Sequence, residues 1–288
     1  MKRIIKVQDI DNDRVEESTL LCYNLLLRGD IMYGAIVGDL AGSIYEFNQL
    51  KKIQSIEMNN LIEDNAFYSD DTILTIAILD AILHNKDYDY YLRKYIQEYS
   101  DYKPNFTPYF KSPFSPNLIK WSNSNVIGTS HGNGAMMRIS PVGYMFDSEK
   151  DVIENAKLAT IPSHNSKEAI DSATLIALMI YYSRKGYTKD EIYEMMNIDV
   201  KYNPFVKFNT TCEETLGNCM YALYNSNSFE DAIRKTLLMG GDTDTNCAIV
   251  GSIAEAMYGI DNEVIEKVND KIPKKFVKIL NRTRSYVG

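Results

Sequence analysis

The chain has 288 residues, of which 45% are hydrophobic and 24% are charged, a composition typical of a soluble globular protein that can bury a sizeable core. Its formal net charge of −8 argues against a nucleic acid partner, because a surface that binds a phosphate backbone must be basic. A single nucleotide-like ligand is still compatible with this charge if its site is locally positive or holds a metal ion.

Three further features bear on cellular location. The N-terminus lacks the apolar region of a signal peptide, and no apolar run reaches the ~20 residues of a membrane span, so no membrane partner is expected. The four cysteines have no C-x-x-C spacing and there are only three histidines, which disfavours a disulfide scaffold and a structural zinc site. We therefore expect a cytoplasmic protein.

Apolar residues recur with helical spacing, and no segment alternates for long enough to predict a strand. The predicted fold class is all-α, and without linker-like composition we expect a single domain over residues 1–288, with 1–30 as an accessory segment. Helices are predicted over residues 15–27, 73–83, 88–99, 149–159, 167–182, 188–196, 212–224, 229–238, 247–258, 263–269 and 274–284. Residues 48–67, 103–121 and 203–209 are predicted to be irregular. The proline-rich stretch 103–121 is interpreted as a surface loop packed on the core, with an aromatic wall beside a site as the alternative.

Gly34, Gly38 and Gly42 lie four residues apart, so a helix over them has one face of small residues. A glycine inside an exposed helix costs roughly 1 kcal/mol relative to alanine, and close packing of a second helix would offset this cost. The alternative, a glycine-rich phosphate loop, lacks both G-x-G-x-x-G and a Walker lysine, so we favour helix packing. The tetrapeptide Ala-Ile-Val-Gly at residues 35–38 recurs at 248–251, which we interpret as two similar packing surfaces.

Two acidic segments stand at predicted helix starts, residues 69–72 (Ser-Asp-Asp-Thr) and residues 240–246 (Gly-Gly-Asp-Thr-Asp-Thr-Asn). Helix capping would explain one acidic or hydroxyl residue at each place, but not a whole cluster. A calcium loop is excluded, because Cys247 and Ile253 stand where its glycine and its bidentate glutamate are required. If the two segments converge, their four carboxylates need a counter-charge, and Mg²⁺, Mn²⁺ or Ca²⁺ would suit all-oxygen ligands.

Two other features could contact a ligand. Residues 132–134 (Gly-Asn-Gly) lead into a short helical segment, an arrangement that suits an anion such as diphosphate but that also marks an ordinary turn. His164 stands just before a predicted helix, where it could contact a ligand; a lone histidine in a turn is more often a hydrogen-bonded structural residue. The residues alone leave both alternatives open.

Five blocks in this order resemble the ADP-ribosylglycohydrolase family, which includes the enzyme that reactivates ADP-ribosylated dinitrogenase reductase. They are residues 34–39 with 45–47 (Gly-Ala-Ile-Val-Gly-Asp and Tyr-Glu-Phe), 69–72, 132–138 (Gly-Asn-Gly-Ala-Met-Met-Arg), His164 and 240–245. The resemblance covers about residues 31–259. It implies a compact orthogonal multi-helix bundle that holds two Mg²⁺ (or Mn²⁺) ions in a cleft and releases ADP-ribose from a modified protein or small molecule.

Carried over residue by residue, the resemblance implies three groups of site residues. The metal ligands would be Ser69, Asp70, Asp71, Asp242, Asp244 and Thr245. The substrate contacts would be Gly132, Asn133, Gly134 and His164. The catalytic residues would be Glu46, Asp71 and Asp242, with Glu46 as the counterpart of a mobile glutamate near the metals.

The implied reaction is hydrolysis at the anomeric carbon of the ribose, with the ions on its 2′ and 3′ hydroxyls and a carboxylate that manages the proton. The acceptor stays open, because the proline-rich stretch departs from the family pattern and could shape the acceptor side. The segment before Ile31 is also extra. Two alternatives are a non-catalytic ADP-ribose-binding relative, which the intact acidic segments disfavour, and a hydrolase of another phosphorylated nucleoside.

Overall fold

The computed structural model describes residues 32–46, 60–84, 86–104, 112–204 and 208–283. Within these ranges the chain is helical and forms no strand, only two isolated bridges, which confirms the all-α prediction. None of the helices in these ranges combines the length and the apolarity needed to cross a bilayer. The predicted helix 15–27 lies outside the described residues, as does most of the predicted loop 48–67.

The helices follow one another with short connections. They are α1 (Gly34–Ser43), α2 (Asp70–Ile82), α3 (Tyr88–Tyr99), α4 (Pro116–Ser122), α5 (Gly134–Met137), α6 (Ser140–Met145), α7 (Glu149–Thr160), α8 (Lys167–Arg184), α9 (Lys189–Met195), α10 (Cys212–Tyr224), α11 (Phe229–Met239), α12 (Thr243–Tyr258), α13 (Asn262–Lys271) and α14 (Lys274–Asn281). Helices α3 and α10 have the predicted bounds. The other helices predicted within the described residues differ from the observed ones by a few residues at an end.

Two of the observed helices, α4 and α6, were not predicted. The proline-rich stretch contains α4, because Ser115 caps it by accepting the N–H of Leu118 at 3.2 Å and Pro116 stands in the first turn, where a helix needs no N–H. Helix α6 also has a proline, Pro141, in its first turn. The prediction that residues 103–121 are irregular was therefore wrong over Pro116–Ser122, since a proline there starts a helix. Residues 105–111 of that stretch lie outside the described residues.

Helix α12 is the central element of the fold. Its residues from Thr243 to Ala256 are all buried, a pattern typical of a helix enclosed on every side, and it contacts α1, α8, α10 and α11. Helix α1 runs antiparallel to it in backbone contact: a Cβ on Gly34 would lie 2.2 Å from the carbonyl oxygen of Gly251, and one on Gly38 would lie 2.0 Å from that of Cys247. The glycine face thus serves helix packing, as predicted, and the two Ala-Ile-Val-Gly segments pack against each other.

Polar side chains connect α1 to α12 and to the start of α2. The carboxylate of Glu255 accepts two N–H groups at the start of α1, at 2.7 and 3.1 Å, where negative charge is favoured by the helix dipole. Asp39, in the middle of α1, accepts the N–H groups of Ser69 at 2.9 Å and Thr72 at 3.1 Å, at the start of α2. The hydroxyl of Thr243 donates to a carbonyl in the last turn of α1 at 2.9 Å. Helices α2 and α12 therefore both begin beside the second half of α1.

Candidate metal centre and substrate cavity

The two acidic segments lie in contact. Thr245 Oγ1 donates to Asp71 Oδ2 at 3.3 Å, although the two residues are 174 positions apart in the chain. Ser69 Oγ donates to the same carboxylate oxygen at 3.0 Å. The starts of α2 and α12 thus bring their carboxylates and hydroxyls into one cluster.

Helix capping accounts for only part of this cluster. Ser69 is the N-cap of α2 and its hydroxyl accepts the N–H of Asp71 at 3.2 Å. Asp242 is the N-cap of α12 but its side chain makes no capping hydrogen bond. The carboxylates of Asp71 and Asp242 are therefore held at helix starts without serving there as caps, which leaves them available for another role.

The acidic side chains form two sets that share Asp244. Asp39, Asp71 and Asp244 each offer an oxygen within 4.8 Å of the others, and so do Glu46, Asp242 and Asp244. Asp39 was not predicted as a site residue, although it belongs to one of the blocks that carry the family resemblance. The signal that could have identified it is a single charge in the middle of a helix of small and apolar residues, because a buried charge needs a partner.

Three carboxylate oxygens of the cluster are buried without a hydrogen-bond partner among the residues that the structure describes: Asp39 Oδ1, Asp71 Oδ1 and Glu46 Oε2. A buried carboxylate oxygen without a partner costs free energy that a coordinated cation would offset. Both sets consist of carboxylates, and the neighbouring Ser69 and Thr245 add hydroxyl oxygens. These residues fit a hard divalent cation, which prefers oxygen ligands.

Burial and mutual repulsion raise the pKa values of these carboxyl groups. The pKa of Asp39 is raised to about 7, first by burial and then by the charge of Asp244, and burial raises that of Asp242 to about 6. The pKa of Glu46 is raised to about 11, again chiefly by burial. Those of Asp71 and Asp244 lie well above the usual range for the same reason. A cation among these groups would lower all of the pKa values, because it favours the charged forms.

A cavity of about 710 Å³ opens beside the cluster. The predicted site residues in its lining are Glu46, Asp70, Gly132, Asn133, Gly134, His164, Asp242, Asp244 and Thr245. Ser69 and Asp71 are 2% and 1% exposed and lie behind this lining, bonded to each other. All four predicted substrate contacts and four of the six predicted metal ligands thus line one cavity.

The Gly132–Asn133–Gly134 segment is attached to the acidic cluster. Asn133 Nδ2 donates to Asp242 Oδ2 at 2.7 Å and to the carbonyl of Asn209 at 3.1 Å. The side chain of Asn209 in turn accepts the N–H of Asp242 at 3.2 Å. The amide of Asn133 therefore positions Asp242, a contact that its prediction as a substrate contact did not include. Asn209 was missed, because nothing in the sequence of the loop before α10 distinguishes it.

His164 lies beside the same glycine-rich segment. Its Nε2 would be 3.5 Å from a Cβ on Gly132 and 3.4 Å from one on Gly134, while its Nδ1 is 2.7 Å from Ser163 Oγ. Ser163 Oγ accepts a hydrogen bond from Arg138 Nη2 at 2.7 Å. Burial, and then the charge of Arg138, hold the pKa of His164 well below its usual range, so the imidazole is neutral. Sequence reasoning assigned nothing to Arg138 or Ser163.

The described end of the proline-rich stretch forms a wall of the cavity. Pro113, Leu118 and Trp121 line it together with the polar Ser115 and Asn117, so one aromatic residue of this stretch, Trp121, borders the cavity. The wall is fastened to α3 by Arg93, whose guanidinium lies 4.0 Å from the ring centroid of Trp121. Arg93 also donates to the carbonyl of Val126 at 3.0 Å, so the segment after α4 is held as well.

Buried carboxylates that border a polar cavity are candidates for acid–base or metal-assisted hydrolysis. A sequence model of the ADP-ribosylglycohydrolase family matches residues 29–284, and the chain belongs to this family. It is therefore a glycohydrolase. The match reaches beyond the resemblance seen at residues 31–259 and includes α13 and α14.

Relatives of known name agree with this assignment. The chain is 23% identical to human ADP-ribosylhydrolase ARH3, with 79% of this chain and 84% of that protein covered. It is 22% identical to the ADP-ribosylarginine hydrolase Tri1 of Pseudomonas putida (strain GB-1), with 82% and 72% covered. A solved structure described as an ADP-ribosylglycohydrolase-related protein complex matches with a TM-score of 0.62 at 18% identity, over 89% of this chain and 93% of that one. The fold is therefore of the ADP-ribosylglycohydrolase type.

Proposed function

We propose that the protein is a Mg²⁺-dependent hydrolase, also served by Mn²⁺, that removes ADP-ribose from a modified acceptor at the anomeric carbon of the ribose. The acceptor is a protein side chain or a small molecule, and free ADP-ribose is the product. The names of the human and Pseudomonas relatives support the release of ADP-ribose, and the second of them supports arginine as one acceptor to be tested.

The observation that carries this proposal is the pair of carboxylate sets that share Asp244 at the edge of the cavity. One set contains Asp39 and Asp71, the other Glu46 and Asp242, and unpartnered oxygens occur in both. Two sets of oxygen ligands would hold two divalent cations. The neutral hydroxyls of Ser69 and Thr245 would complete the ligand groups, and Asp70 would contribute from the first turn of α2.

Bound Mg²⁺ would supply the positive charge that orients sugar hydroxyls and makes water a better nucleophile. The protein supplies the rest of the site. The Gly132–Gly134 backbone and His164 would bind the diphosphate portion, and the Asn133 amide would keep Asp242 in place. The wall formed by Leu118 and Trp121 would exclude water from one side of the sugar.

Glu46 is proposed to move the proton of the reaction. One of its oxygens lies within 4.8 Å of oxygens of Asp242 and Asp244, and its buried Oε2 has no partner. Its raised pKa means that it holds a proton at neutral pH until nearby positive charge lowers that pKa. A carboxyl group whose protonation changes in this way can accept a proton from the attacking water or give one to the departing acceptor.

The test replaces the carboxylate that both sets share. In calorimetric titrations the wild type is expected to bind ADP-ribose with Mg²⁺ and to lose this binding after chelation. Asp244→Asn is expected to lose Mg²⁺ binding and to release ADP-ribose from ADP-ribosylated arginine or serine peptides about 100-fold more slowly or worse, since even changes behind a ligand cost 10- to 100-fold. Far-ultraviolet circular dichroism should show an unchanged helix content.

Asp80→Asn is the matched control. Asp80 is a buried acid of α2, but its carboxylate accepts the hydroxyl of Tyr95 at 2.9 Å and does not line the cavity. This variant should keep Mg²⁺ binding and turnover. An active, metal-loaded Asp244→Asn enzyme would contradict the proposal. Binding of ADP-ribose without turnover in the wild type would identify a non-catalytic relative, and no binding of ADP-ribose would favour another phosphorylated nucleoside as the substrate.

A further inference from the structure

Arg138 is a buried cation that the proposed reaction does not use. It follows α5 directly, is 1% exposed and is the largest fully buried side chain in the described residues. Its Nη2 donates to Ser163 Oγ at 2.7 Å, while its Nη1 is buried without a partner. Among the described residues that line the cavity, Arg138 alone carries a permanent positive charge. The cavity thus combines carboxylates that suit cations with one buried cation, Arg138, which lies close enough to Asp70 for the two charges to interact and whose charge also favours an anion beside it.

The hydrogen bond from Arg138 leaves the proton of Ser163 available to His164. A guanidinium only donates, and a serine hydroxyl has one hydrogen of its own. Since Ser163 Oγ accepts from Arg138, its hydrogen is free to be donated to His164 Nδ1, which lies at 2.7 Å. No other hydrogen-bond partner of Ser163 Oγ occurs among the residues that the structure describes.

The position of the guanidinium favours the same arrangement. Arg138 Nη2 lies 3.5 Å from His164 Nδ1, so a hydrogen on Nδ1 would face a second donor. An Nδ1 that accepts from Ser163 and faces Arg138 leaves the single hydrogen of the neutral ring on Nε2. That nitrogen stands beside the Gly132–Gly134 segment, 3.4 to 3.5 Å from the places where a Cβ would be on the two glycines.

We propose that Arg138 and Ser163 are positioning residues that hold His164 as the Nε2–H tautomer, so that it donates a hydrogen bond to an anionic oxygen of a ligand bound against Gly132–Gly134. Arg138 acts at the same place through its charge. The identification of that oxygen with the diphosphate of ADP-ribose rests on the proposed function. The arrangement of the three side chains does not.

The first measurement is made on the wild type. The protein has three histidines, so long-range ¹H–¹⁵N correlation spectra of the imidazoles are simple, and the His164 signals are those absent from His164→Gln. We expect one neutral ring with its hydrogen on Nε2. A hydrogen on Nδ1, or an imidazolium at pH 7, would overturn the proposal without any variant having to fold.

The second measurement compares Ser163→Ala with Ser163→Thr. Removal of the hydroxyl should mix the two tautomers of His164 and weaken ADP-ribose binding in Mg²⁺ roughly 2- to 10-fold, because only the fraction of the protein with the hydrogen on Nε2 is competent to bind. In turnover the loss should appear in KM more than in kcat. The threonine keeps a hydroxyl and should restore both the tautomer and the affinity. Equal affinity and an unchanged tautomer in Ser163→Ala would overturn the proposal.

A further titration distinguishes failure of the positioning proposal from failure of the proposed function. If wild-type protein does not bind ADP-ribose, the same two variants are titrated with inorganic pyrophosphate. Weaker binding by Ser163→Ala than by Ser163→Thr supports the positioning role for an anion of another kind. Equal binding, or no binding of pyrophosphate by any of the proteins, overturns it.

Discussion

Asp39 shows how one side chain can serve two purposes at once. Its Oδ2 accepts the N–H groups of Ser69 and Thr72 and the hydroxyl of Thr72, so it joins α1 to the start of α2. Its Oδ1 is buried without a hydrogen-bond partner among the described residues, and one of its two oxygens lies within 4.8 Å of oxygens of Asp71 and Asp244. We therefore expect Asp39 to contribute negative charge to the metal centre as well as holding the helix start.

Asp39→Asn separates these two roles. The asparagine oxygen can still accept from α2, while the amide that replaces Oδ1 donates to a neighbouring carboxylate. We expect Mg²⁺ affinity to fall about 10- to 100-fold, and the metal-free protein to be at least as stable as the wild type because one buried charge is gone. Calorimetry and urea unfolding in chelator measure the two effects. An unchanged Mg²⁺ affinity would show that Asp39 serves only as a cap.

The contact of α1 with α12 is the element on which the metal centre depends. Their backbones approach so closely that a Cβ on Gly42 would lie 2.3 Å from the carbonyl of Thr243. Asp39 lies on one of these helices and Asp242 and Asp244 at the start of the other, so their separation follows from this approach. Any residue that moves the helices apart also moves the carboxylates of the two sets.

Gly38→Ala tests this dependence. Its Cβ would lie 2.0 Å from the carbonyl oxygen of Cys247, and a backbone atom cannot relieve this clash by rotating as a side chain can. We therefore expect the free energy of unfolding to fall by about 3 kcal/mol or more. Gly217→Ala is the control, because the nearest atom to its Cβ is the carbonyl of Lys201 at 3.7 Å. This change in α10 should leave stability unchanged or raise it by up to about 1 kcal/mol. Equal stability of both variants in denaturant unfolding would disprove the tight packing.

At the scale of the whole molecule, the acidic cluster makes folding depend on pH and on metal. Without metal, the folded protein holds the protons of Asp39 and Asp242 up to about pH 7 and 6, against a usual pKa of 3.8. The folded state then binds more protons than the unfolded state between about pH 4 and 7, so these groups lower the free energy of unfolding as the pH rises through that window. Mg²⁺ bound to the deprotonated carboxylates would remove this penalty.

Thermal unfolding from pH 4 to pH 7 in chelator and in Mg²⁺ measures the effect. The stability gained from Mg²⁺ should grow as the pH rises, and should reach about 2.7 kcal/mol where the ion is present at 100 times its Kd. Asp244→Asn should show little gain at any pH. A gain that is constant over this range, or that falls as the pH rises, would contradict the protonated state of the metal-free cluster.

Local signals explain which parts of the fold could be predicted. The bounds of α3 and α10 followed from apolar spacing, and the residues before them, Asp87 and Thr211, cap these helices in the structure. Pro116 was the exception. It was interpreted as a break in regular structure, but it stands in the first turn of α4. The acids of α2 and α12 were predicted as a joint site because there are more of them than caps require.

The sequence by itself determined the positions of most helices, the family and the two acidic segments. Each of these depends on a pattern within a few neighbouring residues: apolar periodicity, cap residues or clustered carboxylates. Only the tertiary structure decided that the two Ala-Ile-Val-Gly segments pack against each other, that Asp39 joins the acids of α2 and α12, and that Arg138 reaches His164 through Ser163. These contacts join residues far apart in the chain. They depend on how closely the helices pack. The spacing of residue types along the chain does not give that distance.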